Sequence, residues 1–183
     1  MNDVVLDEGN LRKWQNSIGY VPQDIFMIDD SVATNIALGI PESEIDFEAV
    51  RSAARVASID NFVMNDLPEQ YDTVIGARGI RLSGGQRQRI GIARALYHKP
   101  AVLFLDEATS NLDQDTENLL HETLERVSED MTVIIVAHRL KTTRSSDVIY
   151  VLDRGQIIAN GKYGDLVSED GNLRPEYSAQ KQN

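Results

Sequence analysis

Hydrophobic positions along this chain follow two different rules on either side of residue 100. Beyond it, three short apolar runs, 101–105, 132–137 and 147–152, each follow a stretch with helical spacing. Runs of this kind read as strands buried on both faces, and their alternation with helices implies a parallel sheet with helices on its faces. The helix before the first run is predicted over 84–97, opening on Ser83 as N-cap and carrying Ile90, Ala93 and Tyr97 at helical spacing. The helix before the second is predicted over 114–129, with Asp113 as N-cap and Leu120, Leu124 and Val127 on one face. A hairpin about Asp153-Arg154-Gly155 then brings in residues 156–159, and Gly161 stops it.

Upstream the spacing is helical. Asp46 caps a helix holding Phe47, Val50, Ala54 and Ala57, and Ser58 restarts a shorter one through Phe62. We therefore expect one α/β domain over 1–168, with a helical insertion over about 31–97 and the remainder as an α/β lobe. The polar segment 169–183 has little to bury and is expected to be a loose tail.

Composition narrows the function. At 183 residues and 42 % apolar, the chain supports one ordinary core. Its longest uninterrupted apolar runs, 101–105 and 133–137, fall far short of the ~20 residues of a membrane helix. The polar N-terminus lacks the pattern of a signal peptide, so the chain itself is expected to be soluble with no membrane segment. A net charge of −11 argues against a nucleic-acid surface, which needs clustered Lys and Arg. With no cysteine, disulfides, thiolate metal sites and cysteine nucleophiles are excluded.

The candidate chemistry is concentrated in a few places. Leu82-Ser83-Gly84-Gly85-Gln86 puts a hydroxyl and unpaired backbone N–H groups at the mouth of a helix, where the dipole favours an anion. Alone, Ser-Gly-Gly is an ordinary helix start. Twenty residues on, Asp106 and Glu107 end an apolar strand, which would deliver two carboxylates to the carboxyl edge of a parallel sheet. If the strand alternation continues they point opposite ways, Asp106 toward Mg²⁺ and Glu107 toward the space before a γ-phosphate, where it would polarise an attacking water. His138 ends the next strand and could donate to that phosphate. Gln23, after Ile18-Gly19-Tyr20-Val21-Pro22, offers an amide to Mg²⁺ or the water. Asp113 is first of all a helix N-cap. Arg87, Arg89 and Arg94 follow the glycines, and at least two of them are expected on a solvated face. A search for G-x-x-x-x-G-K-[ST] finds only Gly161-Lys162, with Tyr163 after it and Gln156 in the leading glycine's place.

In this order the motifs resemble the ATP-binding cassette (ABC) family of transporter ATPases across almost the whole chain. Gln23 matches its Q-loop, Leu82 to Gln86 its signature, Val102 to Asp106 with Glu107 its Walker B segment, Ser110-Asn111-Leu112-Asp113 its D-loop and His138 its switch. Residues 72–76 leading to Arg78-Gly79-Ile80-Arg81, with Ile36-Ala37-Leu38-Gly39, are similar to the exporter branch. Residues 20–35 and 150–163 are similar to flippases of lipid-linked oligosaccharides.

The resemblance implies a P-loop-type ABC ATPase fold and ATP with Mg²⁺ as ligands. It also implies a head-to-tail pair with a second ABC ATPase domain, so that the signature and Asp113 act on ATP held in trans. A transmembrane domain would be the other partner, at the cytoplasmic face of the plasma or inner membrane. The family's Walker A loop and base-stacking aromatic would lie before Met1, so the N-terminal part of the lobe is expected to be missing and the isolated chain inactive. Ala77, where exporters commonly have Glu, and Asn111, where Ala is usual, depart from the pattern. The alternatives are a short regulatory protein that pairs with an intact partner without catalysis, and a non-transport ATPase of the same superfamily. The second would need heptad segments and a DNA-facing charge that this acidic chain does not show.

Overall fold

The computed structural model describes residues 5–77, 79–107, 122–125, 127–128, 131–168 and 170–178. It divides into two compact units, Met1–Val136 and Ala137–Asn183.

In chain order the first unit contains α1 (Leu11–Gln15), β1 (Ile18–Val21), β2 (Asp30–Ser31), α2 (Val32–Ile36), α3 (Phe47–Val56), α4 (Asp60–Asp66), β3 (Val74–Ile75), α5 (Gly84–Leu96), β4 (Val102–Asp106) and β5 (Thr132–Val136). Strands β1, β4 and β5 form a parallel sheet in that order, with Val21 opposite Leu105 and Asp106 opposite Val136. This is the α/β arrangement expected from the apolar runs. Because side chains alternate along a strand, Leu103 and Leu105 turn to one face, where they are fully buried with Ile90, Ile92 and Leu96 of α5. Gly19 lets α5 close on β1: a Cβ there would lie 2.6 Å from the Ala95 carbonyl oxygen. On the opposite face Tyr20, Ile134 and Val136 remain exposed. Strands β4 and β5 are thus buried on one face more than the other, not on both alike.

The helical insertion packs its apolar stripe on α5. Asp46 caps α3 as expected, its Oδ1 accepting from the N–H groups of Glu48 and Ala49. Ser58 does not start the next helix. It closes α3 in a left-handed conformation (φ +56°), with Ser58 N–H donating to Arg55 O and Ile59 N–H to Ala54 O. These are the paired bonds of a Schellman ending, a place usually held by Gly, and Ile59 is sealed in the core. Helix α4 therefore begins at Asp60 and runs to Asp66, beyond the predicted end at Phe62.

The third apolar run departs from expectation. In the second unit β6 (Ile149–Asp153) pairs antiparallel with β7 (Gln156–Gly161) and forms a separate two-stranded sheet. Arg154 (φ +48°) and Gly155 (φ +77°) give the left-handed two-residue turn that suits a tight hairpin, so the adjacent strand pairs with β6 locally. Tyr150 and Leu152 are exposed while Ile149 is buried, the alternation of a one-sided strand. Ile149, Leu166 and Val167 make a small core, on which Leu173 and Tyr177 of the polar C-terminal segment pack. Among the described residues no helix is long and apolar enough to cross a membrane.

Candidate functional site

The carboxyl edge of the parallel sheet collects the acidic chemistry. Beyond Val21 the chain turns at Pro22, and the Gln23 amide Nε2 donates to Glu107 Oε2 at 3.2 Å. One residue back, Asp106 Oδ2 accepts the Tyr20 hydroxyl at 2.9 Å. The Tyr20 ring lies against Phe104, its partner in register, with centroids 5.8 Å apart and planes tilted by 32°. Donation to Asp106 holds the Tyr20 phenol above its ordinary pKa, because losing its proton would place two negative charges together.

Glu107 lies just past the end of β4 in a left-handed conformation (φ +49°), its N–H donating to Val136 O at 3.0 Å. Simple strand alternation therefore does not separate the two carboxylates as expected. A tight backbone turn anchored on β5 does, and it leaves each acid with its own donor from β1 or the loop after it. The strain of such a turn at a non-glycine residue costs on the order of 1 kcal/mol.

At the start of α5, Ser83 Oγ accepts the Gln86 N–H at 3.2 Å and Gln86 Oε1 accepts the Ser83 N–H at 2.8 Å. This reciprocal cap fixes the turn, while Gly84 and Gly85 supply first-turn N–H groups that a helix leaves outside its own ladder. Leu82 is buried as an anchor, and Arg87 Nη1 donates to its carbonyl at 2.6 Å. The Ser83 proton stays available to an anion.

The loop after Gln23 is held from the far end of the same helix. Arg94 Nε donates to Asn35 O at 2.8 Å and Nη1 to Phe26 O at 3.0 Å. Burial lowers the Arg94 pKa. Ile25 packs over Gly91, where an added Cβ would come within 2.6 Å of Ile25 Cδ1. The fully buried Asn35 staples the loop further, accepting from Ile28 N–H and donating to the carbonyls of Ile28, Asp30 and Ser31. Of the three arginines, at least two of which are expected on a solvated face, only Arg87 is exposed; Arg89 and Arg94 are half-buried, Arg94 because it turns onto the carbonyls of Asn35 and Phe26.

Gln23, Asp106 and Glu107 are thus brought together, and Leu82 to Gln86 stand at the N-terminus of α5 in the same unit. His138 falls in the second unit, two residues past β5 and just before the 3₁₀ turn Leu140–Thr143. Asp113 and the rest of its motif lie outside the described residues. Sequence reasoning missed Tyr20 and Arg94. Strand parity offered a signal for Tyr20, since it shares a face with Asp106 once β1 and β4 are taken as parallel neighbours. The Asp106 carboxylate and the Gln23 amide oxygen are hard donors of the kind that suit Mg²⁺ alongside phosphate oxygens.

Comparison with known proteins gives concordant matches. Residues 1–110 match the family described as ABC transporter. Multidrug export ATP-binding/permease proteins of Staphylococcus aureus strains NCTC 8325, COL and Mu50 are 41 % identical over 182 residues, which cover 97 % of this chain and 31 % of theirs. A bacterial Atm1-family ABC exporter solved with ATP bound is 39 % identical, with a TM-score of 0.75 over 92 % of this chain and 29 % of that one. The chain spans about a third of the length of these relatives.

Proposed function

Because this chain belongs to the ABC transporter family, we propose that it acts within the nucleotide-binding domain of an exporter, where ATP hydrolysis with Mg²⁺ drives transmembrane export or lipid flipping. Support comes chiefly from the hydrogen bond between Gln23 and Glu107, which joins residues 84 apart in sequence beside Asp106.

In this reading Glu107 is the general base. Gln23 donates to Oε2 and so steadies the carboxylate that accepts a proton from water in line with the γ-phosphate. Asp106 and the Gln23 amide oxygen serve Mg²⁺. The ion, when bound, neutralises charge on the phosphates. Ser83 keeps its oxygen on the Gln86 N–H and directs its proton to a phosphate oxygen, joined by the Gly84 and Gly85 N–H groups. Leu82 and Gln86 hold that turn in shape. The signature, with Asp113, acts on nucleotide bound by a second ATPase domain in a head-to-tail pair, and His138 donates to the γ-phosphate. Closure on ATP and opening after hydrolysis move an attached transmembrane domain at the cytoplasmic face of the membrane. The 183-residue chain carries no G-x-x-x-x-G-K-[ST] loop, so on its own it is expected neither to bind ATP tightly nor to hydrolyse it.

The test is Glu107→Gln in the intact exporter. Turnover should fall by at least about a hundredfold while Mg-ATP still binds, the loss typical of removing a general base. Undiminished turnover would remove Glu107 from the mechanism.

A further inference from the structure

We propose that Tyr20 is a positioning residue for Asp106, its phenol fixing the carboxylate that addresses the divalent cation. The proposal rests on the metal role given to Asp106 above.

Geometry supplies the case. Tyr20 and Phe104 are register partners on neighbouring parallel strands, so the phenol ring starts from a fixed base. From there its hydroxyl reaches Asp106 Oδ2, two residues beyond Phe104 on the same face, at 2.9 Å. An aspartate carboxylate otherwise turns in a broad, shallow torsional well. One donor on Oδ2 sets its plane and leaves Oδ1 to face a cation or a cation-bound water. The Gln23 amide beside it is given to Glu107 instead.

Packing does not account for the tyrosine. Its side chain is 53 % exposed on the less-covered face of the sheet, where phenylalanine would make the same ring contact with Phe104. What tyrosine adds is the hydroxyl, and the hydroxyl is on Asp106. Groups that orient a metal-binding carboxylate from behind contribute roughly 10–100-fold to metal affinity, and an exposed pair belongs at the lower end.

The experiment uses the intact exporter carrying Glu107→Gln to suppress turnover. Mn²⁺ is titrated in the presence of ATP and followed by electron paramagnetic resonance, with and without Tyr20→Phe. Metal-free ATP binding is measured in parallel in EDTA. The expected result is about a tenfold loss of Mn²⁺ affinity with metal-free ATP binding unchanged. Unchanged Mn²⁺ affinity would overturn the proposal, as would an equal loss of metal-free ATP binding, which would mean general damage to the fold. Asp106→Asn separates the two layers. If it abolishes tight Mn²⁺ binding while Tyr20→Phe has no effect, only the role of Tyr20 fails. If it leaves Mn²⁺ affinity intact, the metal role of Asp106 fails and the proposal falls with it.

Discussion

Replacing Arg94 with alanine removes a side chain that ties α5 to both α2 and the loop after Gln23. Two hydrogen bonds to carbonyls are lost outright, to Asn35 O at 2.8 Å and Phe26 O at 3.0 Å. Hydrogen bonds from a charged donor are worth about 1.5–3 kcal/mol each. Two effects offset that sum: the half-buried guanidinium no longer has to be desolvated, and water can reach the carbonyl of the exposed Phe26. The Asn35 carbonyl, on a residue with no exposed surface, is the group left wanting. The net cost is therefore about 2 kcal/mol, close to one charged bond plus part of another. Function should suffer as well, because residues 25–27 are no longer clipped to α5 and Gln23 loses the support that aims it at Glu107. Arg94→Lys keeps the charge but cannot fork to both carbonyls, so it should fall between. Denaturant unfolding and ATP turnover of the intact exporter measure the two effects. If Arg94→Ala changes stability by less than about 0.5 kcal/mol, the ordinary range for a surface substitution, the clamp has been misread.

Gly19→Ala should destabilise by about 1–3 kcal/mol, because the new methyl meets the Ala95 backbone carbonyl at 2.6 Å and Pro100 Cγ at 3.0 Å. A denaturation midpoint equal to wild type would show that α5 yields freely to β1. Tyr71 gives a pH prediction. Burial first, then donation to Asp60 Oδ1 at 2.6 Å, raises its pKa above 10.0, so the folded state keeps a proton that the unfolded state releases. Its contribution is full below pH 10.0 and is lost as the pH rises beyond that value. The urea midpoint of wild type should therefore decline more steeply above pH 10.0 than that of Tyr71→Phe, and parallel curves would refute the assignment.

What could be foreseen was whatever short-range chemistry decides. Ser83 and Asp46 cap their helices because the N–H groups they satisfy are two or three residues away. The turn Arg154-Gly155 is written in its own two residues. Two errors came from local signals with two meanings. Ser58 can start a helix or, at positive φ, end one, and the downstream Ile59 buried in the core decides for the ending. The run 147–152 is apolar enough for a two-sided strand, but an adjacent tight hairpin pairs it with β7. What could not be foreseen depends on register. The Tyr20 hydroxyl finds Asp106 only because Tyr20 lies beside Phe104, and helical spacing alone does not reveal that Arg94 meets carbonyls of a loop more than sixty residues away.

The same helix carries the Ser83 cap at one end and the hold on the loop after Gln23 at the other, and its rigidity gives that a consequence. Ser83 caps its first turn, while Gly91 and Arg94 hold the loop leading from Gln23 two to three turns later. From residue 84 to residue 94 an α-helix rises about 15 Å. Its hydrogen bonds, close packing on Leu103 and Leu105, and capped end resist bending over that span. A tilt of α5 that closes Ser83 onto a phosphate therefore also shifts Phe26 O and Ile25. Pro22, with its fixed φ, leaves little slack between that loop and β1. The displacement is then felt at the Gln23 amide, whose 3.2 Å contact with Glu107 is long enough to tighten or break under a small movement. If Ser83 meets a phosphate and Glu107 is the base, as proposed, the two are linked through this helix and Arg94 without touching each other.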